Sequence, residues 1–422
     1  MLRRGLVSRC SAASLLLTLA VTGLAGVAGA RGEGLALRAA KVITCAEPAM
    51  VLTGGTVLLR DGKIVGLLRS DEPLPKGYEL RDFGDAWLMP GMVDLHTHVA
   101  GTGINDAVFQ ANPGLRATAT VVPGNSSLQR ALAAGVTTML YIPGSATTVG
   151  GQGVLLKTAP HRYEDMLLRD PGSLKVAQAD NPKRWGYGMN RIMLNWSIRD
   201  IFREGRDYAA AWTAFETGQG AEPERSVRLD IFRNLFAHEL PISAHTQVHQ
   251  VVLASMQILR EEFGLDLYID HGTFDAYLAA GYAEELAVPA IIGPRSVNQQ
   301  NKGRGIDTDG AIVGVAGEYQ RRGHTRIGFN TDAPVVPAEE LALQAAMGVR
   351  FGFDDSELGT LRGLTIVPAE VAGVAHRVGS LAVGKDGDLV VTSGHPSDPR
   401  SGVECVFVDG QLVYDASEGR DF

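Results

Sequence analysis

The sequence predicts a (β/α)8 TIM-type barrel with a small composite β-sandwich domain formed by both termini. Three observations carry this. Eight short apolar runs between residues 88 and 329 read as strands, with helical patterns between several of them. The stretches on either side are rich in strand-forming residues and Asp-Gly turns. At 422 residues, the chain is too long for one small core and suits one large barrel plus a smaller domain.

The first thirty residues are a separate object. Arg3, Arg4 and Arg9 precede an apolar stretch from Ala12 to Val27, and Ala28-Gly29-Ala30 is a small-x-small cleavage site. This is the pattern of a secretory signal peptide, too short and glycine-broken for a membrane anchor. The mature protein is therefore expected to be periplasmic or secreted, with no membrane span after signal cleavage. Losing three arginines and no acid takes the net charge from −8 to −11. An acidic chain has no electrostatic footprint for nucleic acid. A small-molecule substrate is the expected partner, and a homo-oligomer is compatible with the sequence.

Residues 31–89 are expected to supply the first part of the sandwich. Leu35–Thr44 is alternating or apolar, and Gly54–Leu59 and Lys63–Leu68 flank the turn Arg60-Asp61-Gly62. Residues 378–422 repeat this texture, with Asp388–Ser393 and then Glu404–Val408 and Gln411–Tyr414 around Asp409-Gly410. Each end alone is too small to bury a core, so one shared domain is predicted.

Residues 90–377 make the barrel. Its strand candidates are Leu88–Leu95, Val136–Ile142, Val154–Lys157, Leu174–Ala179, Leu240–Ala244, Leu267–Ile269, Ala290–Gly293 and Arg326–Phe329. Helices are predicted over Val248–Phe263, closed by Gly264, and over Glu339–Val349 and Glu370–His376. A doubly wound open sheet is the competing layout, disfavoured because no Gly-x-Gly-x-x-Gly opens the first unit. Residues 190–235 resist placement beyond one or two helices.

The chemistry is read from the strand ends, because a parallel barrel gathers its functional side chains at the C-terminal rim. The first strand closes on His96-Thr97-His98. Residues i and i+2 of a strand share a face, so both imidazoles can address one metal ion. The fifth strand runs into His245, the sixth into His271 and the eighth into Asp332. Each has a plain structural explanation alone, as a hydrogen-bonded histidine or a helix-capping aspartate. Four histidines and an aspartate at one rim are hard to explain as independent structural choices. Imidazole and carboxylate together suit zinc and similar divalent metals.

Those residues carry a family resemblance. The run Pro90-Gly91-Met92-Val93-Asp94-Leu95-His96-Thr97-His98, the histidines closing strands five and six, and Thr331-Asp332 resemble the amidohydrolase superfamily. The return Val378-Gly379-Ser380-Leu381-Ala382-Val383-Gly384-Lys385-Asp386-Gly387-Asp388-Leu389-Val390 looks like that superfamily's entry into its small β domain, with Gly387 where Ala is usual. Ile142-Pro143-Gly144-Ser145, Gly150-Gly151-Gln152-Gly153, Leu174–Arg184 and Thr331-Asp332-Ala333-Pro334 are similar to the imidazolonepropionase-related branch.

The resemblance implies metal-dependent hydrolysis of an amide, cyclic amide or peptide-like C–N bond by a metal-bound hydroxide. His96 and His98 would hold the more buried ion, and His245 and His271 a second. Asp332 would ligate or hydrogen-bond the water, take its proton and deliver it to the leaving nitrogen. One or two ions, with zinc favoured, remain open. A two-ion site needs an anionic bridge, which relatives often make from a carboxylated lysine. Lys175 on strand four is the preferred candidate, with Asp180 and Lys157 as alternatives. Lactone or ester hydrolysis uses the same attack, and a non-catalytic metal-binding barrel is a further alternative, disfavoured by the completeness of the site.

The remaining polar residues have two readings each. Asp270 either orients an imidazole or makes a structural salt link. Arg191 and Arg295 follow strands four and seven and are candidates for a substrate carboxylate. His249 begins the helix after strand five and either faces substrate or lies on the surface. His161, His324, His376 and His395 read as solvent-facing. Cys45 and Cys405 fall in the composite β domain, where a disulfide and two unpaired thiols on opposite faces are both open.

Overall fold

A computed structural model describes residues 34–106, 109–178, 181–182, 190–294, 297–299 and 312–418. Residues 1–30, where a signal peptide is expected, and Asp180 and Arg295 lie outside the described residues.

Eight strands form one sheet: β1 (Met92–Thr97), β2 (Val136–Tyr141), β3 (Val149–Lys157), β4 (Leu167–Ala177), β5 (Ile242–Thr246), β6 (Leu267–His271), β7 (Ala290–Ile292) and β8 (Ile327–Phe329). They neighbour one another in chain order. The seam between β8 and β1 is drawn together by the parallel bridge Thr97↔Ala333 and by the His98 N–H donating to the Ala333 carbonyl at 2.8 Å. Below it, the Asp94 carboxylate accepts from the Thr331 hydroxyl at 2.5 Å. Apolar residues of these strands, among them Val93, Leu95, Leu174, Ile242, Ile269 and Phe329, belong to one buried apolar cluster shared with helix residues such as Phe202, Val252 and Leu341.

All eight expected strands are barrel strands, with two revisions. The first apolar run divides at Gly91. Trp87–Pro90 belongs to the sandwich and only Met92–Thr97 enters the barrel. A Cβ at Gly91 would lie 2.0 Å from the Thr137 hydroxyl oxygen, so only glycine lets the chain cross between the sheets here. The second revision is larger. β3 runs antiparallel to both β2 and β4, while the other neighbouring pairs are parallel. Its C-terminal end therefore points to the opposite rim.

The helices are those expected where spacing was strong. Helix His249–Met256 continues as a wider turn through Glu262, and Gly264 follows at φ +69°. Leu341–Arg350 fills most of its predicted span. The predicted helix Glu370–His376 is displaced: the helix is Ile366–Val371, since a turn at Gly373 (φ +70°) ends it early. The unplaced region holds the long helix Arg191–Glu216, capped by the Asn190 side chain, and helix Ile231–Phe236. No described helix is long and apolar enough to cross a membrane.

The sandwich has a four-stranded sheet from residues 34–82 and a six-stranded sheet. The second combines Lys41–Ile43, Val51–Thr53 and Trp87–Pro90 with Leu389–Thr392, Val403–Val408 and Gln411–Asp415. Leu37, Val57, Leu88, Leu389 and Phe407 are buried between them. Both Asp-Gly hairpins turn as predicted, with positive φ at Asp61, Gly62, Asp409 and Gly410. Cys45 and Cys405 are unpaired. Cys405 packs in the sandwich core beside Arg81, whereas Cys45 joins the barrel core near Thr365, so no disulfide joins the termini.

Candidate metal centre

Four strand ends place the cluster. Along β1, Asp94, His96 and His98 alternate onto one face, and the parallel register sets His245 of β5 level with Asp270 and Thr246 level with His271. His271 and Asp332 both adopt positive φ, +80° and +51°. Such backbone costs on the order of 1–3 kcal/mol per residue and is concentrated where side chains must be aimed.

The ring nitrogens can be assigned from their partners. His96 Nδ1 lies 2.7 Å from the Asp270 carboxylate, His98 Nδ1 2.8 Å from the Ile142 carbonyl and His271 Nδ1 2.7 Å from the Gly293 carbonyl. These oxygens accept, so each Nδ1 donates and carries the hydrogen. The three Nε2 atoms of the neutral rings then present lone pairs. They converge: His96 Nε2 and His98 Nε2 are 3.2 Å apart, with the Asp332 carboxylate at 3.2 and 3.3 Å from them and 3.9 Å from His271 Nε2. Candidate ligand atoms of His96, His98 and Asp332 all lie within 4.8 Å of one another, as do those of His96, His245 and His271.

Burial, the largest influence, lowers the proton affinity of His98 and His245 and takes His271 down to about 4. For His96 burial acts the same way, but the Asp270 and Asp332 carboxylates outweigh it and raise its affinity. Burial would also protonate Asp332, yet the His96 and His271 imidazoles hold its carboxyl well below the usual carboxylate range. The result is a carboxylate beside several imidazole lone pairs, and the raised proton affinity of His96 shows that the set attracts positive charge. A single proton satisfies one contact, whereas a divalent cation satisfies all of them. The donor set fits such an ion.

Lys175 is drawn into the same cluster. β4 ends at Ala177, so Lys175 stands two residues from the strand end. Its Nζ is fully buried, 3.1 Å from His96 Nε2 and 3.7 Å from Asp270. Burial lowers its pKa despite both nearby carboxylates. Lys157, the alternative bridge, is not brought here. Because β3 is reversed, its ammonium sits at the opposite rim, 2.7 Å from Asp386, 3.1 Å from Asp388 and 2.5 Å from Asp409. It ties the barrel to the sandwich.

Asp270 takes the orienting reading. It is fully buried, accepts from His96 and the Ser243 hydroxyl, and lies 3.4 Å from the Asn330 amide. Arg191 opens its helix and donates to Gln250 at 3.0 Å. His249 is half-buried at its helix start, where its backbone N–H donates to Asp275. Neither belongs to the converging set. His324 is not solvent-facing but buried, 3.2 Å from Glu284.

Two groups at the site escaped the sequence reading. Asp94 shares its face with both β1 histidines, and the i, i+2 rule that linked those histidines applied to it as well. It accepts the His96 backbone N–H at 3.1 Å. Ser145 lies with its hydroxyl 2.6 Å from His245 Nδ1. Nothing in sequence spacing foretold that contact. Cavity size does not mark the site: a cavity of about 940 Å³ between the two helices of residues 191–236 contains none of these groups.

A crystal structure of an amidohydrolase from Thermotoga maritima MSB8 superimposes with a TM-score of 0.79 at 30% identity, covering 90% of this chain and 100% of that one. This chain belongs to the amidohydrolase family. Residues 308–413 match the family's sequence model directly. Two curated relatives are amidohydrolase tasK of Hapsidospora irregularis and the imidazolonepropionase of Sphingopyxis alaskensis. The first is 25% identical over 406 residues, 86% of this chain, and the second 23% over 375 residues, 82% of this chain. The chain spans 40% of the length of the former and 89% of the latter. The family typically uses a divalent metal, and its members' names point to hydrolysis of C–N bonds.

Proposed function

We propose that this chain is an exported hydrolase of an amide, cyclic amide or peptide-like bond in a small molecule. In this reading His96, His98, His245, His271 and Asp332 hold one or two zinc ions, and Lys175 joins them as the bridge. The observation that carries it is the convergence of three Nε2 lone pairs on the Asp332 carboxylate, with each Nδ1 committed elsewhere. When bound, the cation acidifies a water and polarises the scissile carbonyl.

The other roles belong to the protein. Asp332 keeps 14% of its side chain exposed, against 0% for His96 and 10% for His98, and so faces the side from which substrate arrives. Its ionised carboxylate accepts the proton of the attacking water and returns it to the leaving nitrogen. Asp270 fixes the His96 ring. Burial favours the neutral amine of Lys175, the form that adds to carbon dioxide, forming an N–C bond and releasing one proton. The amino-terminal segment supports delivery to the periplasm or medium.

The test is metal analysis of protein purified without chelator, together with a screen of N-acyl amino acids and dipeptides on wild type and Asp332→Asn. Bound metal in both and a loss of about 10²- to 10⁴-fold in the variant's turnover are expected. A folded wild type without metal, or undiminished turnover by Asp332→Asn, overturns the reading.

A further inference from the structure

The β2–β3 connection reaches both halves of the cluster. The Ile142 carbonyl holds His98 at 2.8 Å, and three residues on the Ser145 hydroxyl meets His245 Nδ1 at 2.6 Å. The loop is pinned rather than loose. The Ile142 N–H donates to the Thr97 carbonyl at 3.1 Å and the Gly144 N–H to the Ile104 carbonyl at 3.0 Å. The Asn105 side-chain amide packs closely on Gly144, where a Cβ would lie 2.1 Å from its oxygen. Ser145 is therefore held where it stands.

Three polar atoms crowd together there. His245 Nδ1 lies 2.6 Å from Ser145 Oγ and 3.0 Å from His271 Nε2, which bears a lone pair because its Nδ1 donates to Gly293. Suppose the hydrogen of His245 is on Nε2. Then Ser145 can donate to Nδ1, but two ring lone pairs face each other at 3.0 Å and a buried Nε2–H has no acceptor. Suppose instead that it is on Nδ1. Then the buried Nε2 lone pair has no donor. No placement of the available hydrogens satisfies the group. A cation facing His245 Nδ1, His271 Nε2 and Ser145 Oγ removes the opposed lone pairs and fixes the His245 hydrogen on Nε2.

We propose that Ser145 is a further cation-site residue, its hydroxyl oxygen facing the ion held by His245 and His271 and setting how tightly that ion is kept. This rests on the metal-dependent reading above and adds to it an oxygen donor from the β2–β3 loop. The hydroxyl is a positioning group and takes no proton from substrate.

The experiment uses the full chain expressed in cobalt-supplemented minimal medium, with Ser145→Ala and Ser145→Cys beside wild type. Cobalt per chain, release to a competing chelator, the absorption spectrum and the melting temperature are measured. Ser145→Ala is expected to release one ion about 10-fold or more faster, or to lose it, and to keep the other. Ser145→Cys is expected to gain a near-ultraviolet thiolate-to-cobalt band absent from wild type, where Cys45 and Cys405, the cysteines among the described residues, are buried. Equal cobalt and equal release in all three folded proteins, with no new band, overturns the role of Ser145 while leaving the metal centre standing. A folded wild type with no cobalt overturns both, and one holding a single ion that ignores Ser145 overturns this inference alone.

Discussion

Asp270→Asn isolates the orienting carboxylate. The fully buried Asp270 side chain accepts from His96 Nδ1 at 2.7 Å and from Ser243, with Asn330 at 3.4 Å. Asparagine keeps the shape and one acceptor oxygen but removes the charge. A hydrogen bond to a charged group contributes about 1.5–3 kcal/mol, and a neutral one about 0.5–1.5 kcal/mol. The difference, about 1–2 kcal/mol, corresponds to roughly 5- to 30-fold in affinity. That overlaps the ~10- to 100-fold seen when groups behind metal-binding histidines are changed. Competition with a chromogenic chelator reads metal affinity, and a thermal melt read alongside separates ion loss from unfolding. Unchanged affinity in a folded Asp270→Asn protein would refute the orienting role. The tautomer of His96 would then have to be set elsewhere.

Lys157→Met leaves Asp386, Asp388 and Asp409 without their shared cation. Breaking a buried ion pair this way costs about 3–5 kcal/mol, so denaturant stability should fall while metal per folded chain stays constant. Gly91→Ala forces a methyl to 2.0 Å from the Thr137 hydroxyl oxygen and should cost about 1–3 kcal/mol. Combining it with Thr137→Ala should recover part of that loss in a double-mutant cycle. Burial pushes the thiols of Cys45 and Cys405 up to about 11. A disulfide exchange reagent at pH 8 should find neither in the folded protein and both after denaturation. Stripping the metal should lower the melting temperature, and restoring zinc at about 100 times its Kd should return about 2.7 kcal/mol. An unchanged melt after proven metal removal would contradict the lone-pair accounting.

Local signals carried much of the fold and of the site. Strand runs such as Leu267–Ile269, the two Asp-Gly hairpins and the His96–His98 pair depend on neighbours two to four residues away, and spacing records those. What depends on partners a hundred residues away was less legible. Whether Asp270 oriented an imidazole or made a salt link turned on His96, 174 residues distant. The Ser145–His245 contact spans 100 residues. Lys157 was misplaced for a different reason: the unbroken apolar run Val154–Leu156 reads the same in either direction and does not report the sense of a strand.

That reversal is what builds the roof of the site. In a regular barrel the chain leaving β2 would pass into a helix and return at the far rim to begin a parallel β3. Here β3 starts at the same rim where β2 ends, so residues 142–148 form a short hairpin connection directly over the histidines. A connection this short has little freedom once Ile142 and Gly144 are hydrogen-bonded to the β1 end and its following loop. It can therefore hold His98 through a carbonyl and meet His245 through a hydroxyl with fixed geometry. The same reversal sends Lys157 to the opposite rim, where three carboxylates from the sandwich side receive it. One antiparallel strand thus places a rigid loop above the site and an ionic tie below it. Lengthening the 142–148 connection by two glycines should then loosen metal binding while leaving the Lys157 tie and the melting temperature of the metal-free protein nearly unchanged. Equal loss of both would show that the loop serves the fold and not the site.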